Sequence, residues 1–109
     1  MANAYKILGQ LADASANDVT LYTVPSGTET VVSTITICNR ESAGNTFRLA
    51  IKADGGSVAN EDYLVYDANI SANDTISLTL GITLDASDII SAGASDANVT
   101  FQVFGTEIS

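Results

Sequence analysis

The clearest hydrophobic pattern in the chain is a strict alternation over residues 75–84. Every second position is apolar, and threonine, serine or glycine lies between; the apolar set is Ile76, Leu78, Leu80, Ile82 and Leu84. A period of two places these side chains on one face of an extended strand, whereas a helix would scatter them. The sequence therefore predicts a strand over residues 75–84 that turns this face to the core. Gly81 indicates a bulge, or the close approach of another backbone.

Residues 46–53 alternate in the same way, but their two faces differ in character. One face carries Phe47, Leu49 and Ile51, and the other carries Arg48, Ala50 and Lys52. Charged side chains confined to one face are typical of an antiparallel strand that is solvated on that side. We therefore predict a strand with a solvated outer face, whose apolar face joins residues 76–82 in the core.

The longest predicted strand covers residues 28–39, which have no charged residue between Glu29 and Arg40. Alternation assigns one face to Val31, Ile35 and Ile37. It assigns the other face to Val32, Thr34, Thr36 and Cys38. Because neither of these faces is charged, the strand is predicted to be central or covered on both sides.

Shorter stretches complete the strand pattern. Residues 5–11, 19–24, 62–66 and 98–104 are predicted strands, the last with Val99, Phe101 and Val103 on its core face. Ile89 and Ile90 form an apolar pair that precedes a weak stretch at residues 91–96. Residues 67–74 are expected to be a polar connection, and residues 105–109 a tail. Turns rich in Gly, Asp and Ser separate these stretches.

Seven or eight strands at spacings of about a dozen residues are typical of an antiparallel sandwich or barrel. We predict an all-β fold: a single antiparallel β-sandwich over residues 1–109, jelly-roll-like, with an immunoglobulin-like sandwich as the alternative. Residues 1–12 are predicted to form an N-terminal arm or an edge strand. A chain of 109 residues fits one domain.

Charge narrows the possible partners. The chain has 13 Asp and Glu residues against 4 Lys and Arg residues, which gives a net charge of −9. Nucleic acids and anionic membranes bind basic patches, which so few cations cannot build. We therefore expect neither nucleic acid nor a membrane as a partner. No apolar run reaches the roughly 20 residues of a membrane span, and no secretory signal peptide is expected.

The sequence offers little catalytic chemistry. There is no histidine, which removes the usual general base, the catalytic triads built on it and the common zinc ligand sets. A hydrolase would need paired carboxylates instead, and the close pairs are Glu61 with Asp62 and Asp85 with Asp88. Both pairs lie in polar turns, where acidic residues hydrogen-bond the backbone. We predict that the protein is not an enzyme and has no catalytic residues.

Calcium is the other site hypothesis, because Ca²⁺ accepts oxygen ligands from turns. One candidate loop carries Asp13, Asn17 and Asp18, and a second carries Asp85, Ser87 and Asp88. Neither has the ligand spacing of an EF-hand loop, so both are interpreted as turns. No metal and no cofactor are expected.

Cysteine and tyrosine residues are interpreted as packing residues. Cys38 is the only cysteine, which excludes an internal disulfide. There is no Trp, and the tyrosines are Tyr5, Tyr22, Tyr63 and Tyr66. Because Tyr63 and Tyr66 are three residues apart, they should not share a strand face. The tyrosines are therefore predicted to pack in a core or an interface and not to form a sugar platform.

The motifs of residues 21–28 (LYTVPSGT) and 31–40 (VVSTITICNR) resemble small virion structural proteins of tailed bacteriophages. Residues 46–51 (TFRLAI) and 104–109 (FGTEIS) add to this resemblance, which spans most of the chain. Proteins of this kind decorate or cement capsids, or occur in tail and fibre modules. The resemblance implies a virion component and carries no individual functional residues with it.

The function predicted from these observations is a capsid decoration or cement protein that stabilises a phage head through oligomeric protein–protein contacts. The alternative is a tail or fibre-associated module that binds a host receptor or glycan. The expected partners are further copies of this chain, a trimer by analogy with capsid-decorating proteins, and the major capsid protein or another virion protein. The implied location is the virion, assembled in the bacterial cytoplasm.

Overall fold

The computed structural model describes residues 3–109, in which there are nine strands and one short 3-10 helix, Asn60–Asp62. The strands are β1 (Asn3–Leu11), β2 (Val19–Thr23), β3 (Glu29–Asn39), β4 (Asn45–Lys52), β5 (Tyr63–Ile70), β6 (Thr75–Leu78), β7 (Ile82–Leu84), β8 (Ile89–Ala94) and β9 (Val99–Ile108). Of the predicted arm at residues 1–12, Met1 and Ala2 lie outside the described residues. In the part of the chain described, no helix is long and apolar enough to cross a bilayer.

The strands form two antiparallel sheets. The five-stranded sheet has the order β1-β9-β3-β6, with β7 also paired to β3, and the four-stranded sheet has the order β2-β8-β4-β5. Every connection except β4–β5 and β6–β7 passes from one sheet to the other. An immunoglobulin sandwich instead keeps several consecutive strands in one sheet. The all-β antiparallel sandwich is confirmed, and its strand order is jelly-roll-like.

The core lies between the sheets and is built mainly from alternate residues of four strands. Its most deeply buried side chains include Ile35, Ile37, Leu49, Ile90, Val99, Phe101 and Val103. Phe47 of one sheet meets Phe101 of the other edge to face, with ring centroids 6.4 Å apart. The predicted core residues on β4 and β9 are therefore buried or, in the case of Ile51, packed against the core.

The prediction of one continuous strand over residues 75–84 is wrong. β6 ends at Leu78 and β7 begins at Ile82, because Gly81 adopts a positive φ of 63° that turns the chain between them. Leu80 consequently leaves the core face and is 47% exposed. The alternation continues along the sequence, but the turn breaks it in space.

The predicted faces of β3 are also wrong at the start of the strand. The pairing of β3 with β9 shifts register between Val32 and Thr34, so Ser33 forms a bulge. The bulge places Val32 on the inner face together with Ile35 and Ile37, and leaves Val31 outside. One extra residue in a ladder reverses the faces on one side of it.

Three stretches that the sequence marked as irregular are strands. β5 continues through residues 67–70, β9 continues to Ile108, and the weak stretch at residues 91–94 belongs to β8, between β2 and β4. The small side chains of β8 fit because space is limited: a Cβ on Gly93 would meet the Asn17 side chain. The residues of β8 are small, and the stretch is therefore weakly hydrophobic, because this strand is closely packed between its neighbours.

The outer face of β4 is not uniformly solvated, contrary to the prediction. Ala50 and Lys52 are 2% and 7% exposed. The Lys52 ammonium lies 3.2 Å from the Asp18 carboxylate, which compensates its charge. Arg48 remains accessible on this face, with 27% of its side chain exposed.

Two hydrogen-bonded networks fix the opposite ends of β3. At one end the buried Asn39 amide donates to the carbonyl oxygens of Ala43 and Ser71, and its Oδ1 accepts from Glu41 N and Asn45 Nδ2. This side chain therefore connects the β3–β4 loop and the start of β4 to the β5–β6 loop.

At the other end, the buried Tyr22 hydroxyl donates to Glu107 Oε2 at 2.6 Å and contacts Thr30 Oγ1 at 2.8 Å. Lys6 Nζ lies 2.7 Å from Glu107 Oε1. The network joins β2 of the four-stranded sheet to β1, β3 and β9 of the other sheet. Burial, followed by the Glu107 hydrogen bond, raises the pKa of Tyr22 to about 12.

Candidate functional site

The structure separates the three residues of the first calcium candidate. Asp13 Oδ1 accepts hydrogen bonds from Ser15 Oγ and Ser15 N, which lower its pKa. Asp18 pairs with Lys52, and the Asn17 side chain lies over Gly93. Each residue has a different structural partner, as turn residues do.

The second candidate loop is occupied by backbone contacts. Asp88 accepts hydrogen bonds from Asp54 N and Asp85 N, and Asp85 Oδ1 accepts one from Ala86 N. Asp62 of the Glu61–Asp62 pair accepts a hydrogen bond from Ala59 N at the 3-10 helix. Within residues 3–109, no group of three or more His, Cys, Asp or Glu side chains is arranged to hold a metal ion.

One carboxyl pair is visible only in the structure. Glu41 and Asp96 meet between the β3–β4 and β8–β9 loops, and this hydrogen bond is the main reason that the pKa of Glu41 is raised. The pKa of Asp96 is lowered, first by the hydrogen bond that it accepts from Asn98 N at 2.8 Å. Asn98 also contacts Glu41, so the pair joins two loops.

The outer face of the five-stranded sheet, here called the threonine-rich face, is a continuous uncharged surface. Cross-strand pairing places side chains side by side in rows, since paired residues point to the same side. One row runs Tyr5, Thr106, Val31 and Thr83; the next holds Ile7, Phe104 and Thr34; the others hold Gln10, Gln102, Thr36 and Ser77, and then Thr100, Cys38 and Thr75.

Large apolar side chains are exposed on the threonine-rich face. Tyr5, Ile7 and Val31 are 81%, 53% and 41% exposed. Glu29 is the charged residue at its margin, paired with Ile108. A sheet face of this extent without charge is unusual on a chain with a net charge of −9.

The threonine-rich face ends at an unprotected strand edge. β1 forms this edge and has one charged residue, Lys6, along nine residues. The opposite edge of the same sheet is interrupted between β6 and β7, and β5 at an edge of the other sheet has two register shifts. The remaining edge strand, β2, has five residues and a register shift. β1 also has one shift, between Ile7 and Gly9, but with nine residues it is the longest edge strand and offers the most backbone groups to another chain.

The outer face of the four-stranded sheet carries a cluster of four side chains, here called the Arg48 cluster: Tyr63, Tyr66, Asp67 and Arg48. Arg48 Nε and Nη2 donate to the two Asp67 carboxylate oxygens at 2.6 and 3.1 Å. The Arg48 Cζ atom lies 4.2 Å from the centroid of the Tyr66 ring. The Arg48 hydrogen bond holds the pKa of Asp67 below its usual range.

The prediction that Tyr63 and Tyr66 cannot share a strand face is wrong. Their rings meet edge to face, with centroids 4.9 Å apart and an interplanar angle of 86°. The β4–β5 ladder shifts register twice, so residues three apart return to the same side. Asp67 takes a positive φ of 53° in the irregularity opposite Phe47 and Leu49. A hydrophobic pattern does not reveal these bulges.

Two depressions adjoin the Arg48 cluster. The first has a volume of about 180 Å³ and is lined by Arg48, Asp67, Asn17, Thr46 and Ser95, with Phe47 and Ala94 at its base. The second, of about 490 Å³, shares Thr46 and Ser95 and adds Asn45, Asn69 and Ser71 to its lining. Because they share Thr46 and Ser95, they form one groove; Arg48 lines this groove and also contacts the Tyr66 ring, which lines neither depression.

No protein-family model matches the sequence, and no curated protein matches it. Two solved structures of a pentameric capsid protein isolated from metagenomic phage sequences are similar to this chain. The TM-scores are 0.41 and 0.35, at 20% and 17% sequence identity over 95% of this chain. The alignments cover 63% and 64% of those proteins, so this chain spans somewhat less than two thirds of their length. Similarity at this level assigns neither a family nor a function to this chain.

Proposed function

We propose that this chain is a non-enzymatic virion structural protein, a capsid decoration or cement subunit that assembles with copies of itself and attaches to the phage head. The observation that carries the proposal is the threonine-rich face, with the β1 edge at its border. The resemblance of residues 21–40 to small phage virion proteins is the reason for placing the subunit in a phage particle.

Charge is the first reason to place the contact on this face. A net charge of −9 makes most approaches between two copies repulsive. Between the rows of Tyr5 and Cys38 there is no carboxylate to oppose a partner, so two copies can meet there with the least electrostatic cost.

Size and rigidity are the second reason. Three strands of nine to eleven residues, flanked by the shorter β6 and β7, cover roughly 30 Å by 20 Å. Burying about 600 Å² on each partner reaches the lower range of specific interfaces. The side chains stand on a hydrogen-bonded sheet, and threonine has few rotamers, so little conformational entropy is lost on contact.

The subunit number and the particle partner follow from the resemblance. Capsid-decorating proteins imply a trimer, with the major capsid protein as the second partner and the virion as the location. The β1 edge offers backbone donors and acceptors to a neighbouring copy, as in strand addition. A role in a tail or fibre is the alternative, and a map of the intact particle distinguishes the two.

The test compares one added charge on each sheet. Thr106 lies in the row between Tyr5 and Val31, whereas Thr20 is exposed on β2 of the other sheet. In sedimentation at micromolar concentration we expect the unaltered protein and Thr20→Glu to be oligomers. Thr106→Glu should shift to the monomer while its circular dichroism spectrum is unchanged. Deletion of residues 1–11 should also weaken assembly.

An unaltered protein that sediments as a monomer would contradict self-assembly. An oligomer that tolerates Thr106→Glu would place the interface elsewhere. Phage particles that bind Thr106→Glu as tightly as the unaltered protein would show that the threonine-rich face is not used on the head.

A further inference from the structure

We propose that the Arg48 cluster and its adjoining groove bind a neutral saccharide. The site lies on the four-stranded sheet and does not use the threonine-rich face. Sugar binding can therefore be tested independently of the proposed function.

The aromatic part of the site is exposed and held in place. Tyr66 is 60% exposed, and its ring is fixed by Arg48 at 4.2 Å and by the edge-to-face contact with Tyr63. A tyrosine ring offers a flat apolar surface that costs little conformational entropy to use. Arg48 covers one face of the Tyr66 ring, and the C–H face of a pyranose ring is the complement of the other face.

The polar part of the site has unused hydrogen-bonding capacity. A guanidinium has five N–H donors and a carboxylate has about four acceptor positions; the contact between Arg48 and Asp67 uses two of each. The remaining donors and acceptors lie in fixed planes beside the groove. Vicinal sugar hydroxyls, which donate and accept at once, match a paired guanidinium and carboxylate.

Charge and composition select the class of ligand. Arg48 and Asp67 neutralise each other, so the cluster has no excess charge to attract a phosphate or a carboxylate. Nucleic acid is disfavoured further by the net charge of −9. A proline-rich peptide would need an apolar groove lined by aromatic rings, whereas six of the twelve residues that line the two depressions are Asn, Ser or Thr.

The size of the groove points to more than one sugar ring. The depression of about 180 Å³ next to Arg48 has space for one ring, and the depression of about 490 Å³ continues it past Thr46 and Ser95 towards Asn69. We therefore expect a disaccharide to bind more tightly than its monosaccharide. If the threonine-rich face is attached to a capsid, the Arg48 cluster on the opposite sheet faces outward.

The experiment is a titration of the ¹⁵N-labelled protein followed by amide chemical shifts. The probes are neutral hexoses, N-acetylhexosamines and their disaccharides, each raised to about 50 mM so that a site with a Kd of about 1 mM is filled. We expect shifts at Thr46, Arg48, Tyr66, Asp67 and Ser95 for at least one sugar, with a disaccharide saturating at a lower concentration.

Three variants separate binding from folding. Tyr66→Ala should abolish the shifts, and Tyr66→Phe should retain them because the ring remains. Leu80→Ala removes an exposed apolar side chain between β6 and β7, away from both proposed surfaces, and should bind as the unaltered protein does. Sedimentation of the same samples reports on oligomerisation separately, so a failure of the proposed function is not mistaken for a failure of this site.

Several results would overturn the inference. They are the absence of shifts with every sugar probe, shifts that persist in Tyr66→Ala, shifts located on the threonine-rich face, and binding of a polyproline peptide at Tyr66 without binding of any sugar.

Discussion

The outer faces of the two sheets have opposite characters. Side chains on the threonine-rich face are uncharged and stand in regular rows. On the four-stranded sheet, charged and aromatic side chains converge at the Arg48 cluster, beside a groove.

Ladder regularity accounts for the difference. The rows of the threonine-rich face run across four strands with one bulge in β3 and one in β1. Two closely spaced register shifts between β4 and β5 bring Tyr63 and Tyr66 to the same side. Ladders with a single register shift keep their rows on a broad surface suited to a protein partner, whereas two shifts within residues 47–50 of one ladder gather a few side chains into a local site.

The largest expected effect tests the core that holds both faces in place. Phe101 is fully buried and meets Phe47 across the sandwich. Phe101→Ala should lower the free energy of unfolding by about 3–5 kcal/mol, since it leaves a cavity. Leu80→Ala, at the exposed position between β6 and β7, should change it by less than about 0.5 kcal/mol. Urea denaturation measures both, and an equal loss would contradict the interruption at Gly81.

The next effect tests the close packing of the sheet under the threonine-rich face. A Cβ on Gly105 would meet the Val31 carbonyl oxygen and would lie 3.0 Å from Val32 Cα, both of them backbone. Gly105→Ala should therefore cost about 1–3 kcal/mol, because strands β3 and β9 must separate. Gly44→Ala is the control, since its nearest neighbour would be 3.7 Å away. Thermal unfolding that ranks the two equally would contradict this packing.

A smaller effect tests the contact between the sheets at Tyr22. Tyr22→Phe removes the hydrogen bonds to Thr30 and Glu107 and should cost about 1 kcal/mol at neutral pH. The raised pKa of Tyr22 adds a signature at alkaline pH. Its stabilising effect is complete below the usual pKa of 10.0 and is lost as the pH rises towards about 12. Denaturation of both proteins across this range should show a shallower alkaline decline in Tyr22→Phe.

The smallest effect concerns Glu107, which accepts the hydrogen bond from Tyr22 of the other sheet. Its pKa is lowered, first by the Lys6 ammonium and then by the Tyr22 hydroxyl. A lowered carboxyl pKa stabilises the fold above the usual value of 4.5, and this stabilisation is lost as the pH falls through the folded-state pKa. Glu107→Gln should therefore flatten the acid limb of stability against pH. An unchanged acid limb would show that the Lys6–Glu107 contact is not maintained in solution.

Sequence patterns determined most of the elements of this fold. Alternation at Phe47, Leu49, Phe101 and Val103 identified core positions because a period of two has one meaning in a strand. The absence of histidine and the excess of acidic residues likewise restricted the chemistry. Such predictions of core positions are correct where the neighbouring residues along the chain determine which face of the sheet a side chain occupies.

The tertiary structure alone decided which face several residues occupy. Gly81 turned Leu80 outward, Ser33 exchanged Val31 for Val32, and the irregular β4–β5 ladder joined Tyr63 and Tyr66. Glu41 met Asp96 across 55 residues of sequence for a similar reason. Gly81 marked its own irregularity in the sequence, but the other bulges and the crossings between sheets depend on pairing with distant strands, which periodicity does not show. The Arg48 cluster, which rests on two such shifts, was therefore visible only once the strands were paired.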